Sequence, residues 1–275
     1  MIRTRLAIVL TVLLTICAGV YALPPDGDSA TQALVSSPRH GEWVEIQLPG
    51  SDTPLRSWVV YPERPDAAPV VVVIHEIFGL TDWIRGVADA LAAEGYIAVA
   101  PDLLSGKGPN GGGTESFEGD AVRAAIQKLS VEEVNARLDA ARQWAIDLPA
   151  SSDRSAVVGF CWGGTASFNY AIHQPALNAA IVYYGTGPSD AAKIAPIKAP
   201  VLGFYGGDDA RVTSTVPATL EAMTQAEKTF LPHTYDGAGH GFLRQQTGRD
   251  GANKKAAEQA WDATLHFLKQ HLAGE

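Results

Sequence analysis

The sequence predicts an α/β domain built round a mostly parallel sheet with helices on both faces, and three observations carry that expectation. Short apolar runs rich in β-branched residues recur along the chain, as at residues 70–74, and such runs mark strands buried on both faces. Segments with apolar residues at helical spacing separate them, the alternation expected of strand–helix–strand units. The composition suits one sizeable core, because 46% of the 275 residues are hydrophobic and only 19% are charged. The 27 glycines have no three-residue period, which excludes a collagen-like chain. Lys plus Arg is 21 against 30 Asp plus Glu, a net charge of −9, and no basic block occurs. Phosphate neutralisation needs clustered Lys and Arg, so nucleic acid is not an expected partner and the acidic surface serves solubility.

Residues 1–22 have the layout of a secretory signal: Arg3 and Arg5, an apolar run over 6–18, then Val20-Tyr21-Ala22 for a signal peptidase. The alternative is an uncleaved membrane anchor, since the apolar stretch approaches the lower limit for a span, ~17 residues. Bulky Ile16 before Cys17 argues against a lipoprotein site. Cleavage after Ala22 predicts an exported protein, periplasmic or secreted, with no stable membrane partner. It leaves Cys161 as the one cysteine, so no intramolecular disulfide is expected. Residues 23–41 are polar and unpatterned and read as a tether; residues 42–275 form the domain.

Within the domain, residues 43–48 and 55–61 read as a hairpin of edge strands and 70–74 as a buried strand. A helix is expected over 81–94, with Trp83, Val87, Ala90 and Leu91 at helical spacing, and a buried strand over 96–100. Residues 104–119, with GKGPNGGG at their centre, are loop. This is no phosphate-binding loop, because Lys107 is followed by Gly and no strand closely precedes it; a mobile lid is the plainer reading. A helix begins near Asp120. Ser130-Val-Glu-Glu133 has capping-box spacing and opens a helix to Ile146. Strands at 155–160, 179–184, 200–205 and 229–235, a helix at 162–173 and an amphipathic helix at 252–272 complete the pattern.

The stretch Val157-Val-Gly-Phe-Cys161-Trp-Gly-Gly164 carries the most chemistry. A β-branched strand runs through Gly-x-Cys-x-Gly-Gly into a helix, and glycines at ±2 permit the strained strand-to-helix turn that exposes a nucleophile. The helix N-terminus would favour thiolate at Cys161. The bland reading is a buried cysteine acting as a small hydrophobe. A nucleophile needs a base and an orienting acid. Asp208 and Asp209 follow the buried strand ending near Gly206, and His240 lies in a small-residue loop after the next strand; strand carboxyl ends are where open α/β sheets place their sites. His40, His173, His233, His266 and His271 have weaker claims. With no Cys/His cluster at ligand spacing, no metal is expected.

Gly159–Gly164, His75-Glu76-Ile77-Phe78-Gly79, Asp208-Asp209-Ala-Arg-Val212 and Gly239-His240-Gly-Phe242 together resemble the dienelactone hydrolase family, over roughly residues 42–272. The resemblance implies the α/β-hydrolase fold and a Cys-His-Asp triad that opens the ring ester of dienelactone and, more loosely, other esters. By position it implies Cys161 as nucleophile, His240 as base and Asp209 as orienting acid, since Gly206, Asp209 and Val212 fit the family's Gly-x-x-Asp-x-x-Val; Asp208 is the alternative. Glu76 matches a buried glutamate linked to the thiol's protonation, or is an acid facing a helix N-terminus. The Ile77 and Trp162 N–H groups would form the oxyanion hole. Arg244 matches an arginine that binds the substrate carboxylate, or is a surface arginine. The family's second such arginine and its tyrosine lie after Asp102, where the Gly-rich composition leaves Arg123 as the candidate. The resulting expectation is an ester or lactone hydrolase working through a thiol ester on a small-molecule substrate without a cofactor. A broad acyl-hydrolase and a non-catalytic binding protein of the same fold are the rivals.

Overall fold

The computed structural model describes residues 22–274, so the leader expectation lies outside the described residues except for Ala22. Eight strands form one sheet in the order β1-β2-β4-β3-β5-β6-β7-β8. They are β1 (Gly41–Ile46), β2 (Leu55–Val60), β3 (Ala68–Ile74), β4 (Ile97–Pro101), β5 (Ser151–Phe160), β6 (Ala179–Tyr183), β7 (Val201–Gly206) and β8 (Phe230–Tyr235). The hairpin β1–β2 and the β2–β4 pair are antiparallel, and every other pairing is parallel. This is the predicted fold class, with one adjustment: β2 is an inner strand and only β1 lies at that edge.

The β-branched runs divide between two cores. Val71 and Val73 of β3 face one side with Ala156, Val158, Ile181 and Phe204, packed on α2 (Asp82–Ala93) and α9 (Ala252–Leu272). Val70, Val72 and Ile74 face the other with Val157, Ala180, Val182 and Val201, packed on α4 (Val131–Ile146), α5 (Trp162–His173) and α8 (Val216–Gln225). A strand with helices on both faces must be apolar at every position, which is why alternation is absent. The Ser130 hydroxyl accepts from the Glu133 N–H at 3.1 Å, as capping spacing predicts, but the Glu133 carboxylate turns away to Lys107 Nζ at 2.6 Å and to Arg137. Helix α8, together with short α6 (Ala191–Ile194) and α7 (Ala210–Thr213), had no expectation from the sequence.

Two segments differ from their sequence reading. Residues 104–119 are pinned rather than lid-like: the Asp102 carboxylate accepts from Leu104 N, Thr114 N and Thr114 Oγ1, and the same hydroxyl accepts from Leu80 N. Residues 22–39 form a docked strap rather than a free tether. It contains α1 (Ala30–Ser36) and is held along α2 by Thr31–Asp82 at 2.7 Å, Ser37–Asp89 at 2.6 Å and Arg39 Nε–Asp89 at 3.0 Å. Its polar composition conceals this, because side-chain hydrogen bonds supplement the few apolar contacts of Leu23, Pro25 and Ala30.

Candidate functional site

The loops at the carboxyl ends of β3, β5, β6, β7 and β8 converge. At the end of β5, Cys161 adopts φ 57° and ψ −117°, a left-handed backbone that a non-glycine residue tolerates only when its surroundings impose it. The glycines explain how the turn fits. A β-carbon at Gly159 would stand 1.9 Å from the Gly163 carbonyl oxygen, and one at Gly163 would stand 2.3 Å from the His75 carbonyl oxygen. The elbow therefore presses directly against the end of β3, bringing the loop that starts at His75 beside Cys161.

Cys161 is half-buried. Burial pushes its thiol pKa up, and the nearby Glu76 charge pushes the same way; the N–H groups of Trp162 and Ile77 and the Arg211 charge oppose them without prevailing. The helix N-terminus was expected to favour thiolate, and in the resting site desolvation and a buried carboxylate outweigh it. The Ile77 and Trp162 N–H groups nonetheless both bear on the sulfur.

Across the site, His240 Nδ1 lies 2.5 Å from Asp209 Oδ2, with the Asp209 side chain 7% exposed and that of His240 32%. Asp208 turns outward and accepts from Arg249 Nη1 at 2.8 Å. The two acids left open by spacing are thus told apart by geometry. The His240 ring also stands edge-on to Tyr184, with centroids 5.1 Å apart.

Glu76 is almost fully buried and accepts from Arg244 Nε at 2.7 Å. Burial raises its carboxyl pKa, while the guanidinium pulls against the shift by charge and by hydrogen bond. Its charge acts on Cys161, the N-cap residue of α5, so the reading of Glu76 as an acid near a helix N-terminus also stands. Arg244 is not a free surface arginine: besides Glu76 it covers the Phe78 ring at 5.1 Å, and Arg123 covers the same ring at 5.0 Å. Two guanidinium groups thus converge on Phe78, directly after Ile77.

Two residues of the site carried no expectation of their own. His75 is fully buried; Leu103 N donates to its Nε2 at 3.3 Å, so the proton on Nδ1 goes to the Glu76 carbonyl oxygen at 2.8 Å. Burial lowers its pKa and keeps it neutral, and it stacks on Trp162. Its place at a strand's end was the one available signal. Tyr184 has φ 41° and a buried hydroxyl with no hydrogen-bond partner, near enough to Glu76, Arg244 and Cys161 for their charges to act on it. Among aromatics at the end of a strand, nothing in the sequence set it apart. The weaker histidines are occupied elsewhere: His173 meets Asp139 at 2.7 Å, His266 meets the Asp262 carbonyl at 2.8 Å, and His40, His233 and His271 lie against Tyr61, Phe204 and Phe267. Among the described residues there is no metal-binding cluster and no helix long and apolar enough to cross a membrane.

The chain is similar to known proteins. A Salmonella typhimurium protein carrying the name carboxymethylenebutenolidase is 33% identical over 245 residues, covering 83% of this chain and 86% of its own. A Methylorubrum extorquens protein of the same name is 30% identical over 273 residues, covering 95% and 92%. The crystal structure of a Klebsiella pneumoniae protein named as a dienelactone hydrolase superposes with a TM-score of 0.72 at 28% identity, covering 84% of this chain and 99% of that one. The sequence profile of the dienelactone hydrolase family matches residues 55–272, and with that span the chain belongs to the dienelactone hydrolase family of α/β-hydrolases.

Proposed function

We propose that this hydrolase opens a carboxylic ester or lactone bearing a carboxylate near the scissile bond, through a thiol ester on Cys161. His240, oriented by Asp209, takes the thiol proton. The sulfur adds to the carbonyl carbon, and the oxyanion forms against the Ile77 and Trp162 N–H groups. Collapse expels the alkoxide, which takes the proton from His240. Water, deprotonated by His240, then cleaves the thiol ester and releases the acid and the free thiol. The observation that supports this reading is the Asp209–His240 hydrogen bond beside Tyr184, the residue that also neighbours a cysteine held at positive φ with the Trp162 and Ile77 N–H groups bearing on its sulfur.

The carboxylate preference rests on Arg244 and Arg123 flanking Phe78. A carboxymethylenebutenolide, the compound in the relatives' name, is a five-membered lactone with a carboxylate arm. An arginine can pair that arm bidentately, and doing so competes with Glu76 for the same guanidinium. Export is proposed as well, on the leader pattern alone. The deciding experiment traps the intermediate: turnover of a slow ester, quenched in acid, should add the acyl mass to the peptide carrying Cys161. Acylation elsewhere, or burst kinetics unchanged in Cys161→Ala, defeats the reading.

A further inference from the structure

We propose that the strap over residues 22–39, which precedes the family match, is part of substrate recognition: Asp26 and Gly27 are positioning residues that set where the Arg244 guanidinium stands. The inference rests on the reading of Arg244 as the carboxylate-binding group.

Arg244 lies on an open turn following His240, closed internally by Arg244 N and Gln245 N donating to the Gly241 carbonyl at 3.0 and 2.9 Å. From outside, the strap takes hold of the same turn. Gly27 N donates to the Arg244 carbonyl oxygen at 2.8 Å, Gln246 N donates to Asp26 Oδ2 at 2.7 Å, and Gln246 Nε2 donates to the Pro24 carbonyl at 2.9 Å. The strap is itself anchored to the body, because Trp83 Nε1 donates to Pro25 O at 3.0 Å; Trp261 Nε1 donates to Ala22 O at the same distance, a bond that cleavage after Ala22 removes. The contact at residue 27 admits little: a β-carbon there would stand 3.0 Å from Arg244 Cγ and 3.2 Å from its carbonyl oxygen. Strap and turn together wall a groove of ≈ 610 Å³ that includes Phe78. The main chain of Arg244 is thus fixed from the strap while its side chain is fixed by Glu76, so a shift in the strap displaces the guanidinium relative to the thiol.

The test uses the full exported chain with Asp26→Ala, Gly27→Ala and, as a remote strap control, Ser36→Ala, whose hydroxyl serves only its own helix. Substrates are p-nitrophenyl acetate and the carboxylate-bearing p-nitrophenyl hydrogen succinate. Both site-end variants should raise KM for the succinate ester about three- to tenfold, with turnover of the acetate near wild type. Asp26→Asn, which keeps an acceptor for Gln246 N, should recover most of the loss. Parallel losses on both esters, or no change on either, overturn the proposal. A second readout separates it from the carboxylate reading: the ratio of Cys161 alkylation by iodoacetate to that by iodoacetamide senses the guanidinium without a substrate. If Arg244→Ala leaves ester selectivity intact, the carboxylate reading fails. If Arg244→Ala lowers the alkylation ratio and the strap variants do not, the positioning role fails.

Discussion

The Cys161 elbow and the Arg244 turn serve one site and are braced from opposite sides. The elbow is braced from within: its glycines lie against backbone of the elbow and of β3, and Cys161 N donates to the Tyr183 carbonyl at 3.0 Å. Side chains cannot enter there, so the constraint is steric and written in glycines. The turn is braced from without by hydrogen bonds to a polar strap. Contacts of that second kind tolerate small movements, which suits the role proposed for Arg244, releasing Glu76 to meet a substrate, whereas the proposed nucleophile needs one geometry.

The sharpest way to break the inner side of this contrast is the acid behind His240. Asp209→Asn should cut kcat/KM by up to ~10⁴ through the wrong imidazole tautomer, while Asp208→Asn, which loses only the exposed Arg249 contact, should stay within a few-fold. Steady-state kinetics on any good ester decides it, and a dead Asp208→Asn reverses the assignment. Next is the elbow itself: Gly159→Ala forces its β-carbon against the Gly163 carbonyl and should cost about 3 kcal/mol, the upper end of overpacking, read from urea melts. A melt matching wild type means the elbow is less constrained than its contacts imply.

On the outer side, Arg244→Ala should lower kcat/KM for an anionic ester or lactone roughly ten- to a hundredfold, the loss of one charge-assisted pair, and barely affect a neutral ester. Equal activity on the anionic substrate removes the carboxylate preference and leaves the hydrolase intact. The smallest effect is on pH. The folded thiol is shifted upward by burial and by Glu76, so alkylation of the free enzyme should be slow at neutral pH and rise as pH rises. Glu76→Gln removes one of the two causes of that shift and leaves the Arg244 charge unpaired nearby, both of which favour thiolate. Its iodoacetamide rate–pH profile should move to lower pH; an unmoved profile detaches Glu76 from the thiol.

Most of the sheet and the sites at its carboxyl edge could be read from the chain, because the forces there are local and repetitive. Runs such as Val70–Ile74, buried on both faces, have to be apolar throughout, and the sharp turn at Cys161 needs glycines at ±2 because a β-carbon at either would meet backbone. Asp209 was separable from Asp208 only through family resemblance, since adjacent residues of one type differ solely in where the backbone aims them. Tyr184 was unreadable for the same reason.

By itself the sequence determined the fold class and the glycine-flanked elbow at Cys161, each a matter of residue type at fixed spacing, and it singled out the residues to which the proposed mechanism gives roles. The tertiary structure alone decided the rest, by bringing together residues far apart in the chain. Glu76 is brought beside Cys161 and pairs with Arg244, and burial together with that carboxylate raises the thiol pKa that the helix terminus was expected to lower. Asp102 pins the Gly-rich loop, and the segment read as a tether grips the Arg244 turn. Polar side chains and bare backbone made these contacts, and such groups have no periodicity to announce a partner.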